Sequence, residues 1–309
     1  MRTLVPGRAL DQVPAGWGVR RAVRLAFPGP AARSADPVHT ERLRVYLADL
    51  LQPHGLALDE QAFGCGGQSY GEMAEELIQR AVPPGESVDL LVLAYSVPDI
   101  TPGRATATWL SHVCPGRPLA LAVSDQGPAG AFTALRLVRA YAAGAGLARA
   151  LLLLVEQPAL PYPPAGPVAL PAGAYGVALL LGPPTPGDRR RPVALGPVSV
   201  RPRSAADLLP ALAGAPGPVT ALLGPAVAAA SHPALAEVAR VRTADPGRPA
   251  TGVWWELVAE LGGLPDRPDA PRRLLLADRT PAPAGLSLAA FDTVTDPHSA
   301  VATAVGQQR

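Results

Sequence analysis

Apolar positions along this chain fall into two alternating kinds of run. One kind is short, continuous and rich in Leu, Val and Ala: VDLLVLAYSVPD (88–99), PLALAVSD (118–125), ARALLLLVEQ (148–157), YGVALLLG (175–182), VTALLGPAV (219–227), RRLLLADRT (272–280) and AGLSLAAFDTV (284–294). Such runs, bounded by turn residues, suit strands covered on both faces. The other kind repeats at helical spacing. DPVHTERLRVYLADLLQPHG (36–55) opens near His39-Thr40 and stops at Pro53. GQSYGEMAEELIQRAV (67–82) offers Ser69 as a cap with Glu72 three residues on. GRATATWLSHVCPG (103–116), GAFTALRLVRAYAAGAG (130–146), SAADLLPALAG (204–214), SHPALAEVARV (231–241) and TGVWWELVAELGG (251–263) complete the helices.

Helices that alternate with buried strands predict an α/β fold with mainly parallel sheet. The pattern occurs twice, either side of the proline-rich PPTPGDRRRPVALGP (183–197), which predicts two halves, 1–186 and 187–309, related by internal duplication. The chain of 309 residues is long enough for a large core, and 48% hydrophobic with 17% charged residues marks it as globular. Proline (38) and glycine (31) act mainly as punctuation. All 27 basic residues are arginine, inflated together with Ala, Pro and Gly, which reads as coding bias.

A net charge of +2 without a basic face argues against nucleic acid. The Arg189-Arg190-Arg191 run reads as a solvated linker. The apolar runs are too short to cross a bilayer and no signal peptide stands at the N-terminus, so no membrane contact and a cytoplasmic location are expected. Two widely spaced cysteines, Cys65 and Cys114, disfavour both a disulfide framework and a metal site, and no cofactor is expected. Cys65, in GCGGQS, reads as a spare loop thiol; that stretch lacks the lysine of a phosphate loop.

The stretch 67–157 resembles the thiolase superfamily, most closely ketoacyl-ACP synthase III and its relatives. A helix of small residues, a strand ending near an aspartate, a proline-rich loop (YSVPDITPGRATATWL), a further strand, an elbow, a long helix and a strand ending in glutamate follow the family order. PGRPATGVWWELVAEL is similar to the family's Gly-Asn-Thr segment. RRLLLADRTPAPAGLSLAAF is similar to its closing strand pair, with Ala284-Gly285-Leu286 at the oxyanion turn. The resemblance covers roughly residues 60–305 and implies a duplicated, thiolase-like αβαβα layered fold.

It also implies a Cys–His–Asn set, which this chain does not match. The cysteine position falls on Pro128, or on Ser124 if the elbow carries an insertion. The histidine position falls on Gly224-Pro225, and the asparagine position on Arg248. Proline suits a helix start but accepts no acyl group. Candidate substitutes are Ser124, with Asp125 beside it, and His232 as a displaced base. A Cys114–His112 pair would require the helix to end at His112. Gln126 and Gly127 at the elbow, Gly285 and Arg248 are the candidate oxyanion or acyl-binding groups.

Two functions follow from the resemblance. One is a pseudo-ketosynthase subunit of specialised metabolism that binds acyl-CoA or acyl-ACP and forms a homodimer, or a heterodimer with an active ketosynthase, like the chain-length factors of aromatic polyketide systems. The other is an acyltransferase or thioester hydrolase acting on an oxygen or nitrogen acceptor. There Ser124 or Cys114 carries the acyl group, or Asp125 or His232 deprotonates the acceptor. A structural or regulatory binding module needs no pocket and becomes the better reading if the elbow is closed.

Overall fold

Five strands belong to the first half: β1 (Gly18–Ala26), β2 (Leu90–Ala94), β3 (Leu119–Val123), β4 (Ala150–Glu156) and β5 (Tyr175–Gly182). Five belong to the second: β6 (Val193–Arg201), β7 (Val219–Leu223), β8 (Arg240–Thr243), β9 (Arg273–Thr280) and β10 (Gly285–Asp292). In this computed structural model they hydrogen-bond in the order β3-β2-β4-β5-β1-β6-β10-β9-β7-β8. Subtracting five from the later labels turns the second half into the first, read backwards. Directions repeat as well: β2 lies parallel to β3 and β4 as β7 does to β8 and β9, while β5 and β10 run antiparallel to their neighbours. The structure describes residues 13–293 except 15, 30–35, 65–67, 101–104, 165, 167, 187, 189–191, 202–207, 209–211, 213, 214, 267, 269 and 281–284.

The helices are α1 (Pro37–Leu51), α2 (Glu60–Gly64), α3 (Tyr70–Ala81), α4 (Thr106–Val113), α5 (Ala129–Ala145), α6 (Pro225–Ala236) and α7 (Gly252–Gly263). Side-chain parity along the strands shows how they layer. Leu152 and Leu154 of β4 and Leu274 and Leu276 of β9 share one core with Phe132 and Leu135 of α5 and with Trp254 and Leu257 of α7. Leu151, Leu153 and Val155 point the other way, onto Met73 and Leu77 of α3 and Leu110 of α4. Leu275 and Ala277 likewise meet Val227 and Leu235 of α6. The two central helices are therefore sandwiched between the halves, with outer helices on both sides. Phe132 lies 5.0 Å from Trp254, which meets Phe291 of β10 edge-on. Both faces of each half are covered, which is why the central strands read as continuous apolar runs.

Three strands depart from the sequence expectation. In β1, GVRRAVRLA carries arginines at positions 20, 21 and 24 and looks polar. In β6, VALGPVSVR lies in what reads as a linker; Gly196 and Pro197 form a bulge opposite Ala290, where a proline costs no ladder bond. The expected helix 231–241 starts earlier, at Pro225 behind the Gly224 cap, and has ended before β8 begins. Similarly α1 starts at Pro37, where Asp36 accepts from the Val38 and His39 amides at 2.9 and 3.3 Å. Most of the expected helix 204–214, and the Arg189-Arg190-Arg191 run, lie outside the described residues.

Arg20 resolves the oddity of β1. Its side chain is 1% exposed and pairs with Glu86 at 2.6 Å and Asp188 at 2.7 Å, while Arg149 also reaches Glu86 at 3.2 Å. These partners hold the guanidinium above its ordinary range and Glu86 below its own. Removing the cation leaves two half-buried carboxylates facing each other. Arg20→Ala is expected to cost about 3 kcal/mol, read as a lower denaturation midpoint, with Glu86→Gln costing less because Asp188 remains paired.

Candidate functional site

The chain leaves β3 at Val123 and turns through Ser124-Asp125-Gln126-Gly127-Pro128 into α5. Asp125 (φ 60°) and Gly127 (φ 51°) are both left-handed. Aspartate tolerates that region better than most residues, and the turn is as tight as a nucleophile elbow requires. Ser124 Oγ donates to Asp125 Oδ2 at 3.0 Å. Gln126 is drawn sideways along α5, where its Oε1 accepts from Thr133 Oγ1 at 2.6 Å. Tyr95 at the end of β2 is raised by burial, against a hydrogen bond with Ser124, and Asp125 adds to the rise; Tyr162 is raised by burial and then by Asp125.

Beside the elbow is a cleft between the carboxyl ends of β2 and β4 and the starts of α5 and α7. Tyr95, Ser96, Gly127, Gly130, Ala250 and Thr251 border it. Its free space is about 210 Å³ counting the part open to solvent, but only about 10 Å³ can be reached by the centre of a water molecule. That is the threshold for holding one water, far below a pocket for an acyl chain. No cysteine, histidine or carboxylate is among the bordering residues.

Under the cleft, Glu156 ends β4 with 1% of its surface exposed. It accepts from the Ala250 amide at 2.9 Å, from the Thr251 amide at 3.3 Å, and from Thr251 Oγ1. Burial raises it to about 7, against these three bonds and the positive charge of Arg248. Across the central layer, Asp278 of β9 is 7% exposed and is raised by burial to about 7. A Cβ placed on Gly224 would lie 2.0 Å from Asp278 Oδ1 and 2.5 Å from its Cγ. Gly224 has an ordinary φ of −62°, so space and not conformation demands glycine there.

Of the sequence candidates, Gly127 borders the cleft, and Ser124, Asp125 and Gln126 sit on the elbow beside it. Arg248 does not border it. Its guanidinium stacks 4.6 Å from Tyr175 and 4.5 Å from Trp255 and pairs with Asp245 at 3.3 Å; Ala250 stands in the cleft instead. Gly285 opens β10 opposite Thr280; Ala284 and Cys65 lie outside the described residues.

Cys114 as an acyl carrier is corrected by its place. It is 2% exposed in the outer core, its thiol is pushed by burial up to about 12, and it precedes β3 while Ser124 follows it. Between them lies the whole of β3, whose five residues rise roughly 17 Å. The helix also runs past His112 to Val113, with the His112 ring 6.1 Å from Trp109, so the proposed pair does not form. His232 belongs to the middle of α6, not to a helix start, about 12 Å along the axis from Gly224.

Glu156 and Asp278 escaped the candidate set. Each carries a signal: it falls at the inward parity of an apolar strand, after Leu152 and Leu154 in one and after Leu274 and Leu276 in the other.

No protein-family model and no curated protein matches the chain. Among solved structures it is similar to AbyA1, a tetronic acid condensing enzyme, with TM-score 0.55 and 19% identity over 89% of this chain and 99% of that one. It is similar to the acyltransferase ChlB3 with TM-score 0.58 and 18% identity over 90% and 98%. It is similar to OleA of Xanthomonas campestris with TM-score 0.56 and 12% identity over 91% and 98%. The fold is thiolase-like. At these identities the likeness speaks for the fold and leaves the activity to be argued from the site itself.

Two outcomes test this geometry. Gly224→Ala should destabilise the chain by more than about 2 kcal/mol, and a double-mutant cycle with Asp278→Ala should show strong coupling between the two positions. Cys114 should resist alkylation at pH 8 in the native protein and react once guanidinium unfolds it, as read by peptide mass mapping.

Proposed function

We propose that this protein is a non-condensing, thiolase-fold partner subunit, a pseudo-ketosynthase that acts by pairing with an active ketosynthase-type chain in acyl-CoA or acyl-ACP metabolism. The observation that carries this reading is Asp278 filling the space into which a side chain at Gly224 would grow. The family histidine would stand at that position, and it has neither a side chain nor room for one. The neighbouring elbow position in the cleft is Gly127, and Arg248, where the resemblance puts the asparagine, stacks on Tyr175 and Trp255 away from the cleft. The repeated topology supports reading 1–186 and 187–309 as duplicated halves, and the cleft beside the elbow is small.

A partner subunit needs a surface in place of a tunnel. The strand order leaves β3 at one edge, and its sequence, Leu119-Ala120-Leu121-Ala122-Val123, has no polar residue. Leu119 is 52% exposed. An apolar edge with unpaired backbone groups is a template for another strand, and solitary proteins usually blunt such edges with charge or proline. The edge strand of a related chain, carrying its own α4-like helix, is the occupant proposed here.

The acyltransferase reading rests on the Ser124–Asp125 hydrogen bond. That bond aims the serine proton at an exposed carboxylate, but the cleft beside it admits no acyl chain in this conformation.

Ala122→Arg on the β3 edge should abolish association while leaving the circular dichroism spectrum unchanged, as measured by native mass spectrometry of the chain co-expressed with its candidate partner. Incubation with acyl-CoA should leave the intact mass unaltered. A stable acyl adduct at Ser124 would turn the assignment to the transferase, and a carbon–carbon coupling product from the isolated chain would end the non-condensing reading.

A further inference from the structure

Glu156 and Asp278 occupy equivalent places in the two halves. Each ends the inward face of its half's central strand, β4 or β9, and each is more than nine-tenths buried on the side facing α5 and α7. Among the described residues neither has an ion-pair partner within 4.0 Å. A carboxyl in a dry layer with few donors favours its neutral form.

The donors around the two differ. Glu156 receives two amides and one hydroxyl, all of which favour its charged form. Among the described residues Asp278 receives only the Arg279 amide, at 2.8 Å. The start of α6 favours an anion at Asp278 through its dipole. However, Pro225 contributes no N–H, and the amides of Val227 and Ala228 are taken by the Gly224 carbonyl. The other ionisable groups facing the pair are Arg248, whose charge favours ionised Glu156, and Tyr70 of α3, which burial and then the charges of Asp99 and Glu156 keep neutral.

We propose that Asp278 keeps its proton in the folded chain up to neutral pH, and that loss of this proton to solvent is a switch that loosens the seat of α6 at Gly224. Burial, with the charge of Glu156 adding to it, lifts Asp278 to about 7, against the Arg279 amide. The unfolded value is about 3.9, so the folded state binds the proton more tightly. The stabilisation is then complete below about pH 4 and is lost as the pH rises through about 7. Between pH 6 and 9 a single group of this kind lowers the ratio of folded to unfolded chains about tenfold.

The experiment is an infrared titration of the full chain labelled with ¹³C at the aspartate carboxyls, alongside denaturation at pH 6 and pH 9. A protonated aspartic acid band present at pH 6, gone at pH 9 and absent in Asp278→Asn is expected, with the fall in stability between the two pH values about tenfold smaller in the asparagine chain. A spectrum at pH 6 without that band overturns the proposal, as does an Asp278→Asn chain with the same pH dependence. Because the band is read on the unchanged chain, the infrared result stands even where the variant fails to fold.

Discussion

A carboxylate removed from water must be surrounded by donors, and in this molecule the donors for Glu156 come from the other half of the chain. The side chain ends β4, while the amides and hydroxyl that satisfy it belong to Ala250 and Thr251, at the entry to α7. These bonds let α7 begin where it does without leaving the buried carboxyl unsatisfied. Once α7 is fixed, Trp254 falls between Phe132 and Phe291, Trp255 reaches Tyr175, and Arg248 is caught between those last two rings. The same clamp draws Ala250 and Thr251 over the end of β4. The cleft is narrow because the bond that joins the halves passes along its wall.

Much of the scaffold is legible in the sequence because burial on both faces leaves a direct trace. LLVLA, ALLLLVE and YGVALLLG are strands, and the small residues of 129–145 form the central helix that the elbow demands. The strands that go unread are those whose burial is paid for by something other than apolar side chains. β1 contains an arginine that is buried only because Glu86 and Asp188, far away in sequence, neutralise it. β6 contains a glycine and a proline that only a bulge opposite Ala290 accommodates. β8 has four residues at an edge and no pattern long enough to count.

The site divides in the same way. An elbow is a local object: a strand, a few turn residues and a helix, so its position follows from order alone. The meeting of Gly224 with Asp278 is a contact between residues that lie 54 positions apart, and no local rule places it. What the sequence does hold is the parity of the two inward carboxylates, which is informative only after the strand faces have been assigned.

That contact bears on chemistry as well as on packing. A thioester reaction at this centre would need N–H groups free to meet a developing oxyanion, and helix starts are their natural source. At α5, Pro128 has no N–H, the Ala129 amide donates to the Gln126 carbonyl at 3.1 Å, and the Gly130 amide donates to the Gly127 carbonyl at 3.1 Å. At α7, the amides of Ala250 and Thr251 are held by Glu156. Both helix starts that border the cleft have turned these donors back onto the protein. A thiol placed at the elbow would therefore supply a nucleophile without a place for the charge it creates.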